Sequence, residues 1–66
     1  MWELEKKVKE QLKDYSIVDL KIFIDAMNEA IEKAPRNTEI REKIIYAEQA
    51  ATSMLYSKTE AFLNGL

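Results

Sequence analysis

The side chains of this chain that could carry out chemistry are carboxylates and amines, because the sequence contains neither histidine nor cysteine. Without those residues there is no Ser-His-Asp or Cys-His nucleophilic site, and the commonest general base is missing. Carboxylates do recur at helical spacings of three or four residues, in the pairs Asp25/Glu29, Glu29/Glu32 and Glu39/Glu42. A di-iron site in a helical bundle also needs Glu-x-x-His motifs, which the sequence lacks. We interpret these pairs as solvated helix faces and expect no enzyme activity, no metal and no cofactor.

Three cations suggest a second kind of chemistry, the binding of an anion: Arg41, Lys43 and Lys58. Lys43 and Lys58 fall within an otherwise apolar face of the last predicted helix. Long amine side chains often pack their stems on such a face and leave the charge in water. The alternative is that these cations contact an acidic group of a partner protein or an anionic ligand.

Two apolar stripes decide how the chain must fold. The first consists of Leu4, Val8, Leu12 and Tyr15, and the second, with a 3-4-3-4-3 spacing, of Ile17, Leu20, Ile24, Met27, Ile31 and Ala34. On one straight helix the stripes would lie roughly 140° apart, at about 100° per residue. We therefore predict a break at Tyr15-Ser16, where Ser16 and Asp19 form a capping box and Tyr15 and Leu20 a hydrophobic staple. A kink in one long helix is the alternative.

The sequence predicts an all-α fold in a single domain spanning residues 1–66. Helices are expected at about 2–14, 17–34 and 38–63, with a turn at 35–38, because Pro35 cannot continue a helix and Asn37 or Thr38 can cap the next one. Gly65 is expected to end the last helix in a left-handed conformation. A short N-terminal helix thus precedes an antiparallel helical hairpin, and we expect this unit to assemble into an oligomeric helical bundle.

Apolar residues also occur outside the main helix faces. The main face of the last helix comprises Ile40, Ile44, Ala47, Ala50, Ala51, Met54, Leu55, Ala61 and Phe62, and that of the middle helix also includes Phe23 and Ala30. A helix that is apolar on more than one side is buried on more than one side, and a 66-residue chain gains burial by association. The residues predicted to form an interface are Trp2, Val18, Ile22, Ile45, Tyr46, Tyr56 and Leu63.

Composition excludes several classes of protein. The net charge of −2 is evenly spread, so there is no basic surface of the kind that binds nucleic acid. No apolar run approaches the roughly 20 residues of a membrane span, and the charged start does not resemble a signal peptide. We expect a cytoplasmic protein that binds neither nucleic acid nor membrane.

Two resemblances add expectations about function. Met1, Leu4 and Glu5, followed by Ala47, Ala51, Met54 and Leu55, make the chain similar to the small needle-subunit chaperones of bacterial type III secretion. Pro35, Glu39 and the Glu48-Gln49-Ala50 segment resemble the C-terminal half of phage anti-defence hairpin proteins that sequester cyclic nucleotide signals. The first resemblance implies a chaperone, and the second implies an inhibitor that binds a small ligand.

The function that the sequence favours is a non-enzymatic protein–protein interaction module, such as an adaptor, a small chaperone or an inhibitor. Its partner would be itself, as a homodimer or higher oligomer, another protein, or both. The alternative is a protein that binds an anionic metabolite or cyclic nucleotide between protomers, through Arg41, Lys43, Lys58 and the nearby tyrosines.

Overall fold

Three helices and no strand make up residues 2–66, the part of the chain that the computed structural model describes. Helix α1 spans Trp2–Leu12, α2 spans Ile17–Lys33 and α3 spans Glu39–Asn64. The predicted all-α class is therefore confirmed, and each helix begins and ends within two residues of its predicted limits. Met1 and the side chain of Trp2, which was predicted to lie at an interface, are outside the described residues.

The break between the first two helices lies where the capping signal predicts it. Helix α1 ends at Leu12, whose carbonyl oxygen accepts a hydrogen bond from the Tyr15 N–H at 3.0 Å. Ser16 has an extended backbone, and its hydroxyl oxygen accepts from the Asp19 N–H at 3.1 Å. Because this bond satisfies one of the unpaired donors at the start of α2, the chain starts a new helix here and does not kink a single one.

The turn between α2 and α3 is closed by Thr38. Its hydroxyl donates to the Pro35 carbonyl oxygen at 2.8 Å and accepts from the Arg41 N–H at 3.2 Å. Asn37 has a φ of 61°, a left-handed conformation that asparagine adopts more readily than most residues. This tight turn sends α3 back along α2.

The end of α3 differs from the prediction for Gly65. This glycine has φ −81° and ψ −10°, in the right-handed region, so the predicted left-handed cap is wrong. Its N–H donates to the carbonyl oxygens of Ala61 at 3.1 Å and Phe62 at 3.2 Å, and the Leu66 N–H donates to that of Leu63 at 3.2 Å. Since a tightened last turn already pairs these carbonyls, no left-handed residue is needed.

Helix α3 is the element against which both other helices pack. Helix α2 runs antiparallel to it, whereas α1 runs parallel to it. The core brings together buried Leu12, Leu20 and Ala51, one from each helix, and the partly buried Val8, Phe23, Ile24, Met54 and Leu55. Leu20 and Ala51 have no exposed surface, and the small Ala51 side chain allows the helices to approach closely. The result is an elongated body of 43 × 23 × 15 Å.

The predicted main face of α2 is confirmed, and that of α3 only in part. Every residue of the main α2 face is buried or half-buried, whereas Val18 and Ile22 are 67% and 61% exposed. On α3, Ile40, Ala61 and Phe62 were expected to pack in the core, but all three are exposed. Ala61 and Phe62 lie past the level at which α1 ends and α2 begins, and Ile40 lies in the first turn of α3.

Candidate functional site

Arg41, one of the predicted anion contacts, is bound to the end of α2. Its Nη1 donates to the carbonyl oxygens of Ile31 at 2.8 Å and Ala34 at 3.2 Å. The last carbonyls of a helix have no partner within the helix and carry partial negative charge. The guanidinium therefore stabilises the end of α2 in this structure, and its role as an anion contact stays a prediction.

Lys58 has a similar position at the other end of the molecule. Its ammonium donates to the carbonyl oxygen of Lys13 at 3.1 Å and to that of Tyr15. These two carbonyls belong to the connection between α1 and α2, just after the last residue of α1. The ammonium group is thus bound by main-chain carbonyls, whereas packing of the stem alone would have left it in water. Anion binding by Lys58 also stays a prediction.

Lys43 lies at the surface, in an ion pair with Glu39 at 3.4 Å. It also borders an open depression of about 390 Å³ between the first turns of α1 and α3, lined by Glu3, Leu4, Lys7, Glu39, Glu42, Lys43 and Tyr46. This lining contains three acids and two lysines. The net charge of the lining is therefore negative and would repel an anion.

The carboxylate pairs also lie on exposed helix faces. Asp25, Glu29 and Glu32 are exposed, and Glu29 forms an ion pair with Lys33 at 2.9 Å. Within residues 2–66, no group of three histidine, cysteine or acidic side chains is placed to hold a metal ion. Nor does any helix in that range combine the length and apolar character needed to cross a membrane.

The predicted interface residues divide into two groups. Val18, Ile22, Tyr56 and Leu63 are between 59% and 76% exposed, whereas Ile45 and Tyr46 are half-buried. Val18 and Ile22 come two residues before and after the buried Leu20, so they lie on the side of α2 that faces away from α3. We call these two residues the outer patch of α2.

The end of α3 and the residues just after it form a further exposed apolar surface, of which the sequence predicted only Leu63 as an interface residue. Every residue from 60 to 66 is exposed, and the large side chains Phe62, Leu63 and Leu66 are 60%, 59% and 89% exposed. We call residues 59–66 the α3 overhang, because they extend past the connection that Lys58 contacts. The helix lengths could have indicated this surface, because α3 has 26 residues and α2 only 17. At 1.5 Å per residue, α3 is about 13 Å longer than α2.

An aromatic pair lies beside the base of this overhang. Tyr15 and Phe23 pack edge to face, with ring centroids 6.4 Å apart and planes at 89°. Together with Asp19 and Ile22 they line a shallow depression. Tyr15 is 38% exposed, so its ring is available to a molecule that covers this end of the bundle.

Comparison with known proteins gives this chain no relatives: no protein-family model, no curated protein and no solved structure matches it. The resemblances to needle-subunit chaperones and to phage anti-defence proteins therefore stay predictions.

Proposed function

We propose that this protein is a non-enzymatic interaction module whose exposed apolar helix surfaces are covered by another protein chain, in the first place a second copy of itself. The observation that carries this proposal is the apolar surface that the fold leaves uncovered. Among the described residues, eight large hydrophobic side chains are exposed, whereas the core contains four buried residues, of which Ala50 and Ala51 are alanines.

The energetic argument concerns the size of the core. A single core in a chain below about 70 residues rarely supplies more than about 3–5 kcal/mol of stability. This chain has neither a disulfide nor a histidine–cysteine set for structural zinc to add to it. Burial at an interface adds about 25 cal/mol for each Å² of apolar surface removed from water. Association therefore provides the stabilisation that the isolated bundle lacks.

The test is site-specific photo-crosslinking in the cells that naturally produce the protein. A photoreactive phenylalanine analogue is placed at Ile22 in one variant and at Phe62 in another, with the exposed polar Gln11 as the matched control position. We expect an adduct with a protein, either this chain or another, from Ile22 or Phe62 and not from Gln11. If neither apolar position gives more adduct than Gln11, these surfaces are not covered by protein and the proposal fails.

A further inference from the structure

The apolar core stripe of α3 continues beyond the helices that cover it. Ala51 has no exposed surface and Leu55 is half-buried, but Phe62, one heptad after Leu55 on the same stripe, is 60% exposed. Between them lies Lys58, whose ammonium binds the carbonyls of the α1–α2 connection. Lys58 therefore marks the level at which the bundle's own core ends, and the stripe beyond it has no cover from α1 or α2.

The residues around this uncovered end have a self-complementary spacing. Tyr56, Thr59, Leu63 and Leu66 are separated by three, four and three residues. The first three fall within about a sixth of a turn of α3 at about 100° per residue, and Leu66 follows just past the end of the helix at Asn64. The 3-4-3 spacing is the same in both chain directions. Two copies of this stripe placed antiparallel would therefore put Tyr56 of each copy opposite Leu66 of the other, and Thr59 opposite Leu63.

We propose that a second copy of this chain docks here, with the two α3 overhangs packed antiparallel about a two-fold axis. This inference rests on the proposed function and adds the surface, the occupant and the register. In this arrangement the Phe62 side chains of the two copies lie beside the stripe of Tyr56, Thr59, Leu63 and Leu66, just above the α1–α2 connection. The end of each overhang then reaches the other copy's Tyr15, which lies beside Lys58.

Helix direction favours this occupant. Helix α2 runs antiparallel to α3. In the proposed dimer the α3 helix of the second copy also runs antiparallel to α3, so it has the same direction as α2 and lies in line with it, next to the residue at which α2 begins. The C-terminal end of the incoming helix then approaches the N-terminal end of α2 at Ser16. The partial negative charge of the one end and the partial positive charge of the other attract each other.

The available area also fits a dimer. Tyr15, Tyr56, Phe62, Leu63 and Leu66 are between 38% and 89% exposed, which amounts to on the order of 700 Å² for each copy. A standard protein–protein interface buries about 600–1,000 Å² on each partner. The overhang and its base therefore supply enough surface for a dimer without the outer patch of α2.

The first experiment measures the dimer dissociation constant of the full chain by sedimentation equilibrium. One double variant carries Leu63→Glu with Leu66→Glu, and the matched control carries Val18→Glu with Ile22→Glu on the outer patch of α2, which is also exposed. Circular dichroism confirms that each variant stays helical. We expect a dimer for the original chain, a dissociation constant raised at least tenfold by the overhang changes, and less than a threefold change for the control.

The second experiment tests the register, and it uses the absence of cysteine in the natural sequence. Thr59→Cys and Leu63→Cys are made in separate chains, which are then mixed and oxidised. We expect the mixed disulfide to form at least tenfold faster than the disulfide of either variant alone. Equal rates would overturn the antiparallel register.

Other outcomes separate this inference from the proposed function. A dimer that dissociates with the Val18 and Ile22 changes but not with the overhang changes overturns the inference and leaves the interaction module in place. A chain that stays monomeric at every concentration also overturns the inference. The proposed function then depends on whether photo-crosslinking at Ile22 or Phe62 finds a different protein.

Discussion

Lys58 and Tyr15 are 43 residues apart in the sequence, yet the Lys58 ammonium donates a hydrogen bond to the Tyr15 carbonyl oxygen. The same ammonium donates to the Lys13 carbonyl oxygen at 3.1 Å. One side chain of α3 thus connects both neighbouring helices at the point where α1 ends and α2 begins. This contact fixes the level at which the bundle closes and from which the overhang extends.

Replacing Lys58 with methionine tests this contact, because methionine keeps the apolar stem and removes the donor. We expect Lys58→Met to lower the free energy of unfolding by about 1–3 kcal/mol, because hydrogen bonds from a charged donor to two main-chain carbonyls are lost. Urea denaturation followed by circular dichroism measures the change. The control is Lys43→Met, which removes an exposed ion pair with Glu39 and should cost less than about 1 kcal/mol. Equal losses for both variants would contradict the capping role of Lys58.

Arg41 gives a parallel prediction at the opposite end of the hairpin. Arg41→Lys keeps the charge but loses the planar donor that reaches Ile31 and Ala34 together. We expect a loss of about 1–2 kcal/mol in unfolding free energy, with the exposed Arg36→Lys as a control that changes it by less than about 0.5 kcal/mol. The measurement is again urea denaturation. A stability unchanged by Arg41→Lys would show that the two carbonyls do not depend on the guanidinium.

Asn37 tests the turn between the hairpin helices. Its φ of 61° disfavours most residues other than glycine and asparagine, so we expect Asn37→Ala to destabilise the protein by about 1 kcal/mol. Asn37→Gly should be close to neutral, because glycine adopts this conformation without steric cost. Thermal unfolding of the two variants separates a conformational requirement from a side-chain contact. If glycine is as destabilising as alanine, the asparagine side chain itself matters.

Leu20 tests whether folding and association are coupled. Leu20 is completely buried, so Leu20→Ala should cost about 2–5 kcal/mol, comparable with the whole stability of a bundle this small. We expect the variant to be largely unfolded at low concentration and to regain helicity as concentration rises, because dimer formation stabilises the folded chain. The exposed Val18→Ala is the control. Helicity that does not depend on concentration in either variant would separate folding from self-association.

Local patterns predicted much of the fold. The periodicity of α2 identified a face on which every residue from Ile17 to Ala34 is buried or half-buried. The Ser16 capping signal located the break because it depends on residues three positions apart. These features are local, and helix geometry alone relates them to structure.

Much of the candidate site could not be predicted in this way. Arg41 and Lys58 bind main-chain carbonyls between 7 and 45 residues away, and only the tertiary arrangement brings those groups together. Phe62 belongs to the correct apolar stripe, but its exposure depends on how far α1 and α2 extend along α3. Periodicity describes one helix and does not indicate where its neighbours stop.

The docking of both shorter helices on α3 affects how easily the N-terminal helix α1 opens. Helix α1 packs chiefly against α3, through a narrow set of apolar residues that includes Leu4, Val8 and Leu12. Leu12 is also part of the buried core, but because α1 has few contacts beyond α3, we expect it to detach before the α2–α3 hairpin unfolds. Such a unit opens at a lower free energy than the rest of the protein. In hydrogen exchange, the amides of α1 should lose their protection first, and the connection at 13–16 should be the first site of proteolytic cleavage.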